Sequence, residues 1–208
     1  MRRITREECP PETLHRLLNG VTFFKELIHN DPSQFELLMS VSRFGIADQG
    51  EIILHKDEAA NILYFLLRGE LDVLADDNLV SLNIINAGEM LGVMAMVLDQ
   101  KRSASLRVRS RNAILAGISY EHFQDINDFN VFSLETKLSF FRMLNSNVRW
   151  NVEKNRIANP NHPLVPRLRT IPIFTGPRNT EAELEALHKQ AHVLCELLSD
   201  WNASLVNA

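Results

Sequence analysis

Short apolar runs separated by glycines occupy residues 43–119 and constrain the fold of this chain more than any other feature. Glycines 50, 69 and 88 lie between the runs, where turns are needed. Several short strands at such spacing, bounded by turn residues, are typical of a β-sandwich, roll or barrel. We therefore predict a β-roll, with strands at 51–55, 62–67, 71–75, 80–85, 104–108 and 113–118.

One predicted strand carries a row of arginines. Side chains alternate along 104–111, so that Arg107, Arg109 and Arg111 point away from Leu106 and Val108. We predict that this row forms a solvated face of the strand.

Helical patterns flank the β-roll on both sides. The fold class is therefore predicted to be mainly β with flanking helices, a jelly-roll-like β-roll followed by a C-terminal amphipathic helix. The predicted segments are N-terminal helices at 1–42, the β-roll at 43–119, covering or dimerisation helices at 120–154, a proline-rich arm at 155–179 and the amphipathic helix at 180–208.

Two apolar stripes in the C-terminal part of the chain need a surface to cover them. The first repeats at three- and four-residue steps and contains Leu134, Leu138, Phe141, Leu144 and Val148. The second has heptad spacing, follows a capping-box pair at Thr180 and Glu183, and contains Leu184, Leu187, Ala191, Leu194, Leu198, Trp201 and Leu205. Packing within the chain explains each stripe, and so does a dimer seam. We expect a homodimer or a partner protein to use helices 131–153 and 180–205.

The composition excludes several classes of protein. The chain is 45% hydrophobic and 23% charged, which is typical of a globular protein, and its formal net charge of -4 gives no signal for nucleic-acid or membrane binding. The N-terminus lacks the apolar run of a signal peptide, and no stretch approaches the length of a membrane span. With two cysteines far apart in sequence, reduced thiols and a cytoplasmic location are predicted.

The stretch 91–104 carries the chemistry of an anion site. Gly92 opens a short apolar helix, and a helix N-terminus offers unpaired N–H groups to a phosphate. Arg102 follows ten residues later with a planar cationic fork that fits phosphate oxygens. This combination predicts a pocket for a phosphorylated small molecule.

Five motifs in order carry a resemblance to a known family. They are Gly-Glu-Ile-Ile at 50–53, Leu-Tyr-Phe-Leu-Leu-Arg-Gly at 63–69, Ala-Gly-Glu at 87–89, the stretch 91–104 with its gap from glycine to Arg-Ser-Ala, and Ile-Ser-Tyr-Glu-His-Phe at 118–123. From residue 23 to residue 152 the chain resembles the cyclic nucleotide-binding domain, the effector domain of Crp/Fnr-type regulators, of the protein kinase A regulatory subunit and of cyclic-nucleotide-gated channels.

The resemblance implies a role for each residue of the stretch 91–104, the cassette. Arg102 would pair with the cyclic phosphate, and Ser103 would support it through its N–H and hydroxyl groups. Gly92 would let the backbone approach ribose and phosphate, and Ala95 would donate an N–H group. The following helix would cover the base, with Asn145, Asn147 and Arg149 as candidate contacts.

Val93 departs from the family pattern, which places glutamate there to accept a hydrogen bond from the ribose 2′-hydroxyl. Valine accepts none, and an unpaired buried hydroxyl costs about 1–3 kcal/mol, or roughly ten- to hundredfold in affinity. Glu89 cannot substitute, because it belongs to the preceding turn. The phosphate half of the predicted pocket is present and the sugar half is altered.

The rest of the sequence argues against DNA binding and catalysis. The segment after Lys154 contains a proline-rich stretch and one acidic helix, whereas a recognition helix is basic. The histidines show no HxH pair, although His188 and His192 have i, i+4 spacing. We therefore predict no DNA binding, no metal site, no catalytic residue and no required cofactor.

Three functional hypotheses remain open. The leading one is a non-catalytic regulatory or sensor module that binds cyclic AMP or cyclic GMP, is dimeric, and transmits the ligand state through its C-terminal helices. The alternative is a degenerate scaffold that binds no nucleotide and acts through protein–protein contacts. A third is a sensor of another anionic ligand.

Overall fold

A computed structural model describes residues 1–5, 7–74 and 81–206, and the chain divides into two compact units, Met1–Glu121 and His122–Ala208. The parts of the predictions that fall on Ala75, Val80, the Leu205 side chain and residues 207–208 lie outside the described residues.

The first unit is a two-sheet sandwich preceded by three helices. The helices are α1 (Pro11–Leu18), α2 (Thr22–Asn30) and α3 (Pro32–Val41). The strands are β1 (Arg2–Arg3), β2 (Arg43–Asp48), β3 (Ile52–Leu54), β4 (Ile62–Arg68), β5 (Glu70–Leu74), β6 (Ser81–Asn86), β7 (Met90–Leu91), β8 (Ser105–Val108) and β9 (Asn112–Ser119), with the short helix α4 (Val93–Val97) after β7. One sheet has the order β1-β2-β9-β4-β7 and the other β3-β8-β5-β6, with antiparallel pairing throughout.

The central strands β4 and β9 bury both of their faces. Leu66 and Leu115 belong to the core between the two sheets, while Phe65 on the opposite face of β4 contacts Phe23 and Phe24 of α2. A strand covered on both sides reads as a continuous apolar run rather than an alternating one. This explains the sequence of β9, in which residues 113–118 are all buried.

Two of the three arginines in the predicted solvated row, Arg109 and Arg111, are exposed, and Arg107 is partly buried. Asp72 of β5 lies opposite Arg107 of β8 in the sheet register and is buried. Its carboxylate accepts hydrogen bonds from Arg107 and Arg109, each at 3.1 Å. Burial acts to raise the pKa of Asp72, but the two guanidinium groups and Ser81 more than offset it, so that the pKa is lowered. Arg109 and Arg111 thus fit the prediction of a solvated face, although Arg109 also pairs with Asp72.

The second unit contains two long helices in parallel. Helix α5 (Glu121–Gln124) begins at the junction of the units, followed by α6 (Leu134–Ala158), a 3₁₀ helix (Val165–Thr170) and α7 (Glu181–Val206). Arg142 binds Glu183 and Asn145 binds the Leu187 carbonyl, so contacts advance in the same direction along α6 and α7.

A parallel helix pair requires the chain to return along the helices, and the arm does this. Arg167 pairs with Asp200, and Gln190 donates to the Pro172 carbonyl, so the arm runs antiparallel to α7. Helix α6 has 25 residues and spans roughly 37 Å at 1.5 Å per residue. The proline-rich composition keeps this return segment from forming an α-helix.

The two apolar stripes are buried within this unit. The α6 side chains Leu138, Phe141, Leu144 and Val148 are at most 1% exposed, and Leu184, Ala191, Leu194 and Trp201 of α7 are similarly buried. Phe141 contacts His188 of α7 edge to face. For these stripes the structure favours packing within the chain over a dimer seam.

The fold class is confirmed, although helix accounts for 46% of the chain and "mainly β" understates it. Among the described helices, none has both the length and the apolar character needed to span a bilayer.

A buried lysine holds the segment that precedes α6. Lys137 is 1% exposed, and its ammonium donates to the carbonyl oxygens of Asp125 and Asp128. Burial lowers its pKa, with the two aspartates acting in the opposite direction. The ammonium thus ties the carbonyl groups of the segment 125–128 to α6.

We expect Lys137→Met to destabilise the second unit by about 1–3 kcal/mol, because two carbonyl oxygens lose their donor. Both tryptophans, Trp150 and Trp201, belong to this unit, so urea unfolding followed by tryptophan fluorescence reports on it directly. Lys189→Met is the control, since its side chain is 75% exposed, and it should change stability by less than about 0.5 kcal/mol. Equal urea midpoints for both variants would contradict this role of Lys137.

Candidate functional site

The cassette begins with a left-handed residue. Gly92 links β7 to α4 with φ 81° and ψ 8°, a conformation that side chains disfavour. Helix α4 has only five residues, so its dipole is weak, and any anion site here depends on the side chain that faces the turn.

That side chain is Arg102. It is 6% exposed, and its Nη2 atom donates to the Ile62 carbonyl at 3.2 Å. Its Nη1 atom is buried and has no hydrogen-bond partner among the described residues. A Cβ atom on Gly92 would lie 2.4 Å from Nη1, so the guanidinium occupies the space that the missing side chain leaves.

The backbone of Arg102 is fixed by the turn at 55–58. Its N–H group donates to the Glu58 carbonyl at 3.0 Å, and its carbonyl accepts from the Asp57 N–H group at 2.9 Å. Burial lowers the pKa of Arg102, while Tyr64 and Glu58 act in the opposite direction. Arginine is not deprotonated in proteins near neutral pH, so a positive charge is held beneath the cassette.

The other predicted cassette residues differ in burial and in hydrogen bonding. Val93 and Ala95 are buried, and Ser103 is exposed. Glu89 accepts hydrogen bonds from the backbone and side chain of Asn86, which keeps its carboxylate within the preceding turn. The structure therefore brings Gly92 and Arg102 together and supplies no carboxylate at position 93.

The predicted base-covering residues have separate environments on α6. Asn145 is 5% exposed and donates to the Leu187 carbonyl at 2.9 Å, while its Oδ1 atom is buried and has no hydrogen-bond partner among the described residues. The other two candidate base contacts are more accessible, since Asn147 is half-buried and Arg149 is exposed.

Sequence reasoning missed three groups around Arg102. The Ile62 carbonyl and the Glu58 carbonyl leave no signal in the sequence, because any residue supplies a backbone carbonyl. Ser105 is buried, and its hydroxyl accepts from the Lys56 N–H group at 3.0 Å. A polar residue at the start of an apolar strand was the only signal for this contact.

The described residues include no group of three or more His, Cys, Asp or Glu side chains placed to hold a metal ion. The chemistry of the cassette is therefore that of one buried cation beneath a close-approach glycine, which suits binding of an anion.

A family model described as the cyclic nucleotide-binding domain matches residues 47–128. This range holds every strand from β3 to β9 and the whole cassette. Curated protein sequences include no significant match to this chain.

Solved structures share the fold at low sequence identity. A cyclic nucleotide-binding domain from Methylobacillus flagellatus has a TM-score of 0.56 and 16% identity, covering 70% of this chain and 84% of that one. A cyclic nucleotide-binding protein from Geobacter metallireducens has a TM-score of 0.51 and 17% identity, covering 67% and 95%. The regulatory domain of Toxoplasma gondii PKA with cAMP has a TM-score of 0.47 and 14% identity, and this chain, 63% of which is covered, spans only 48% of its length.

The contact between Gly92 and Arg102 predicts the effect of adding one methyl group. Gly92→Ala should destabilise the chain by about 1–2 kcal/mol for the left-handed backbone, plus the free energy of displacing the guanidinium. Gly50→Ala is the matched control, because φ is 86° there and nothing lies within 4 Å of the added Cβ atom. Differential scanning calorimetry should show the larger loss for Gly92→Ala, and equal losses would mean that Arg102 is held loosely.

Proposed function

We propose that this chain, whose residues 47–128 match the family model of the cyclic nucleotide-binding domain, is a non-catalytic regulatory module whose cassette binds the phosphate of a cyclic nucleotide. The observation that carries the proposal is the buried, unpartnered Nη1 atom of Arg102 against Gly92.

An unpaired buried donor is costly to a protein. Leaving one unsatisfied costs about 1–3 kcal/mol, and more when the group is charged. A phosphate oxygen beside Gly92 would give Nη1 an anionic acceptor, and charge-assisted bonds of this kind are the strong ones. Part of the free energy of ligand binding would thus come from relieving a defect of the unliganded site.

The sugar contributes little to recognition in this proposal. Val93 is 6% exposed and apolar, and the carboxylate of Glu89 is bound to Asn86. The site therefore favours the phosphate of the ligand and gives its 2′-hydroxyl group no acceptor.

A degenerate scaffold is the second candidate, and one observation favours it. With Arg102 only 6% exposed, a ligand has to move the guanidinium or the cassette before it can bind. If that rearrangement costs more than the phosphate contact returns, the domain binds no nucleotide and acts through its surface alone.

The remaining features of the proposal concern signalling. Ligand binding would shift a two-state equilibrium of the cassette, read out by a dimer or a partner protein through the C-terminal helices. Asn145, Asn147 and Arg149 stay as candidate base contacts in this proposal. A cytoplasmic location is supported by two buried, unbonded cysteines, Cys9 and Cys195.

Isothermal titration calorimetry with cyclic AMP, cyclic GMP and 2′-deoxy cyclic AMP tests the proposal. We expect 2′-deoxy cyclic AMP to bind about 10- to 100-fold more tightly than cyclic AMP, because the buried 2′-hydroxyl of cyclic AMP finds no acceptor. Arg102→Ala should weaken binding by about 10- to 100-fold, while Lys101→Ala, an exposed neighbouring cation, should leave it unchanged. The absence of binding to all three at millimolar concentration would overturn the sensor and support the scaffold.

Val93→Glu should restore discrimination in favour of the ribonucleotide. A carboxylate at this position would accept the 2′-hydroxyl, so cyclic AMP should bind about 10- to 100-fold more tightly than its 2′-deoxy analogue. Val93→Gln provides a second, uncharged acceptor in case the buried carboxylate prevents folding, and Val93→Leu is the apolar control. Equal affinities for the two nucleotides in folded Val93→Glu and Val93→Gln would mean that the ribose of the ligand does not lie beside residue 93.

A further inference from the structure

The outward face of α6 carries a second apolar line, distinct from the buried stripe. Trp150 is 57% exposed and Ile157 is 66% exposed, and Met143 is partly buried on the same side. These three residues are seven positions apart, so they lie along one line of the helix. We define them as the outer line of α6.

Trp150 and Ile157 are among the few large hydrophobic side chains of the described residues that are exposed, and they share one helix. An exposed tryptophan beside an arginine is the composition of an interaction hot spot, and Trp150 follows Arg149 directly. The other tryptophan, Trp201, is completely buried, as is usual for this residue type in a folded core.

We propose that the outer line binds the outer line of a second copy of this chain, in antiparallel orientation, with the twofold axis at Trp150. This arrangement places Trp150 against Trp150 of the second copy. At each end of the interface, Met143 of one copy lies against Ile157 of the other. An interface between two identical patches related by twofold symmetry requires this self-complementarity.

The charges beside the line match in the same arrangement. Arg149 is exposed, and no ion pair of it is found in the described part of the chain. In the antiparallel pair Arg149 faces position 151 of the second copy. Glu153 of the second copy is two residues further on, which is about 3 Å along the helix axis at a rise of 1.5 Å per residue. On the other flank, Asn147 lies beside Lys154 of the second copy, where the amide oxygen of Asn147 could accept a hydrogen bond from the ammonium.

Glu153 already has a partner within the helix, and that contact does not compete strongly. Its carboxylate accepts from Arg156 at 2.6 Å, an i, i+3 pair at the surface with the Arg156 side chain 45% exposed. Exposed pairs of this kind contribute only about 0.3–0.5 kcal/mol. In a parallel arrangement Lys154 would face both Glu153 and Arg156 of the second copy, so attraction and repulsion would offset each other.

Sedimentation equilibrium of the ligand-free full chain tests the interface. We expect reversible dimers over roughly 10–500 µM, since three apolar side chains per copy make a small interface. Trp150→Ser with Ile157→Ser should raise the dissociation constant at least about tenfold with unchanged helix content by circular dichroism. Ile173→Ser is the control, because Ile173 is 72% exposed but lies in the arm. A monomer at all concentrations, or a dimer insensitive to the double substitution, would overturn the proposal.

A charge exchange tests the antiparallel orientation. Arg149→Glu and Glu153→Arg should each weaken the homodimer, because each places like charges opposite one another. Mixed together, the two variants should form a heterodimer at wild-type concentrations, since both ion pairs are then restored. Glu135→Arg, an exposed exchange on the same helix far from Trp150, should have no effect. Failure of the mixture to associate would overturn the antiparallel arrangement.

This inference rests on the dimer included in the proposed function but not on the ligand. Sedimentation without nucleotide and calorimetry with nucleotide give independent results, so a failed interface and a failed binding site are distinguishable.

Discussion

The burial of the Arg102 guanidinium is the interaction on which the cassette depends. A charged group that is 6% exposed has to be fixed by its surroundings, and here the Ile62 carbonyl and the turn at 55–58 fix both its side chain and its backbone. Gly92 has to be glycine, because the space of its Cβ atom belongs to Nη1. The charge, the glycine and the turn therefore form one unit, in which one donor is left without an acceptor.

The sandwich around the cassette makes this arrangement rigid. Strand β4 supplies the Ile62 carbonyl and is covered on both faces, by the core between the sheets and by α2. A strand packed on two sides cannot shift without opening a cavity, which costs several kcal/mol for a large side chain. Movement that accompanies ligand binding is therefore expected in Arg102 and α4 rather than in the strand beneath them.

In the second unit, the return path of the arm and the buried carboxylate of Glu183 hold two parallel helices together. Two long helices can lie parallel only if the chain returns between them, and the arm crosses back along α7. The start of α7 is held by Glu183, whose carboxylate accepts from Arg142 and from the Asn179 N–H group. Burial raises the pKa of Glu183, but these donors more than compensate and lower it. The helix pair uses one face of α6, and Trp150 and Ile157 remain on the other.

The β-roll, its flanking helices and the resemblance to the cyclic nucleotide-binding domain could be predicted from the sequence, because alternation, glycine turns and the Gly92–Arg102 spacing are local patterns that follow from strand, helix and turn geometry. Tertiary structure alone decided the rest. The pairing of Asp72 with the arginines depends on the register of β5 and β8, and the burial of Asn145 on the parallel path of α7. The acceptor of Arg102 is a backbone carbonyl, which no residue type encodes. The periodicity of apolar residues indicates that a helix face is apolar. Only contacts between segments distant in sequence decide which neighbour covers that face.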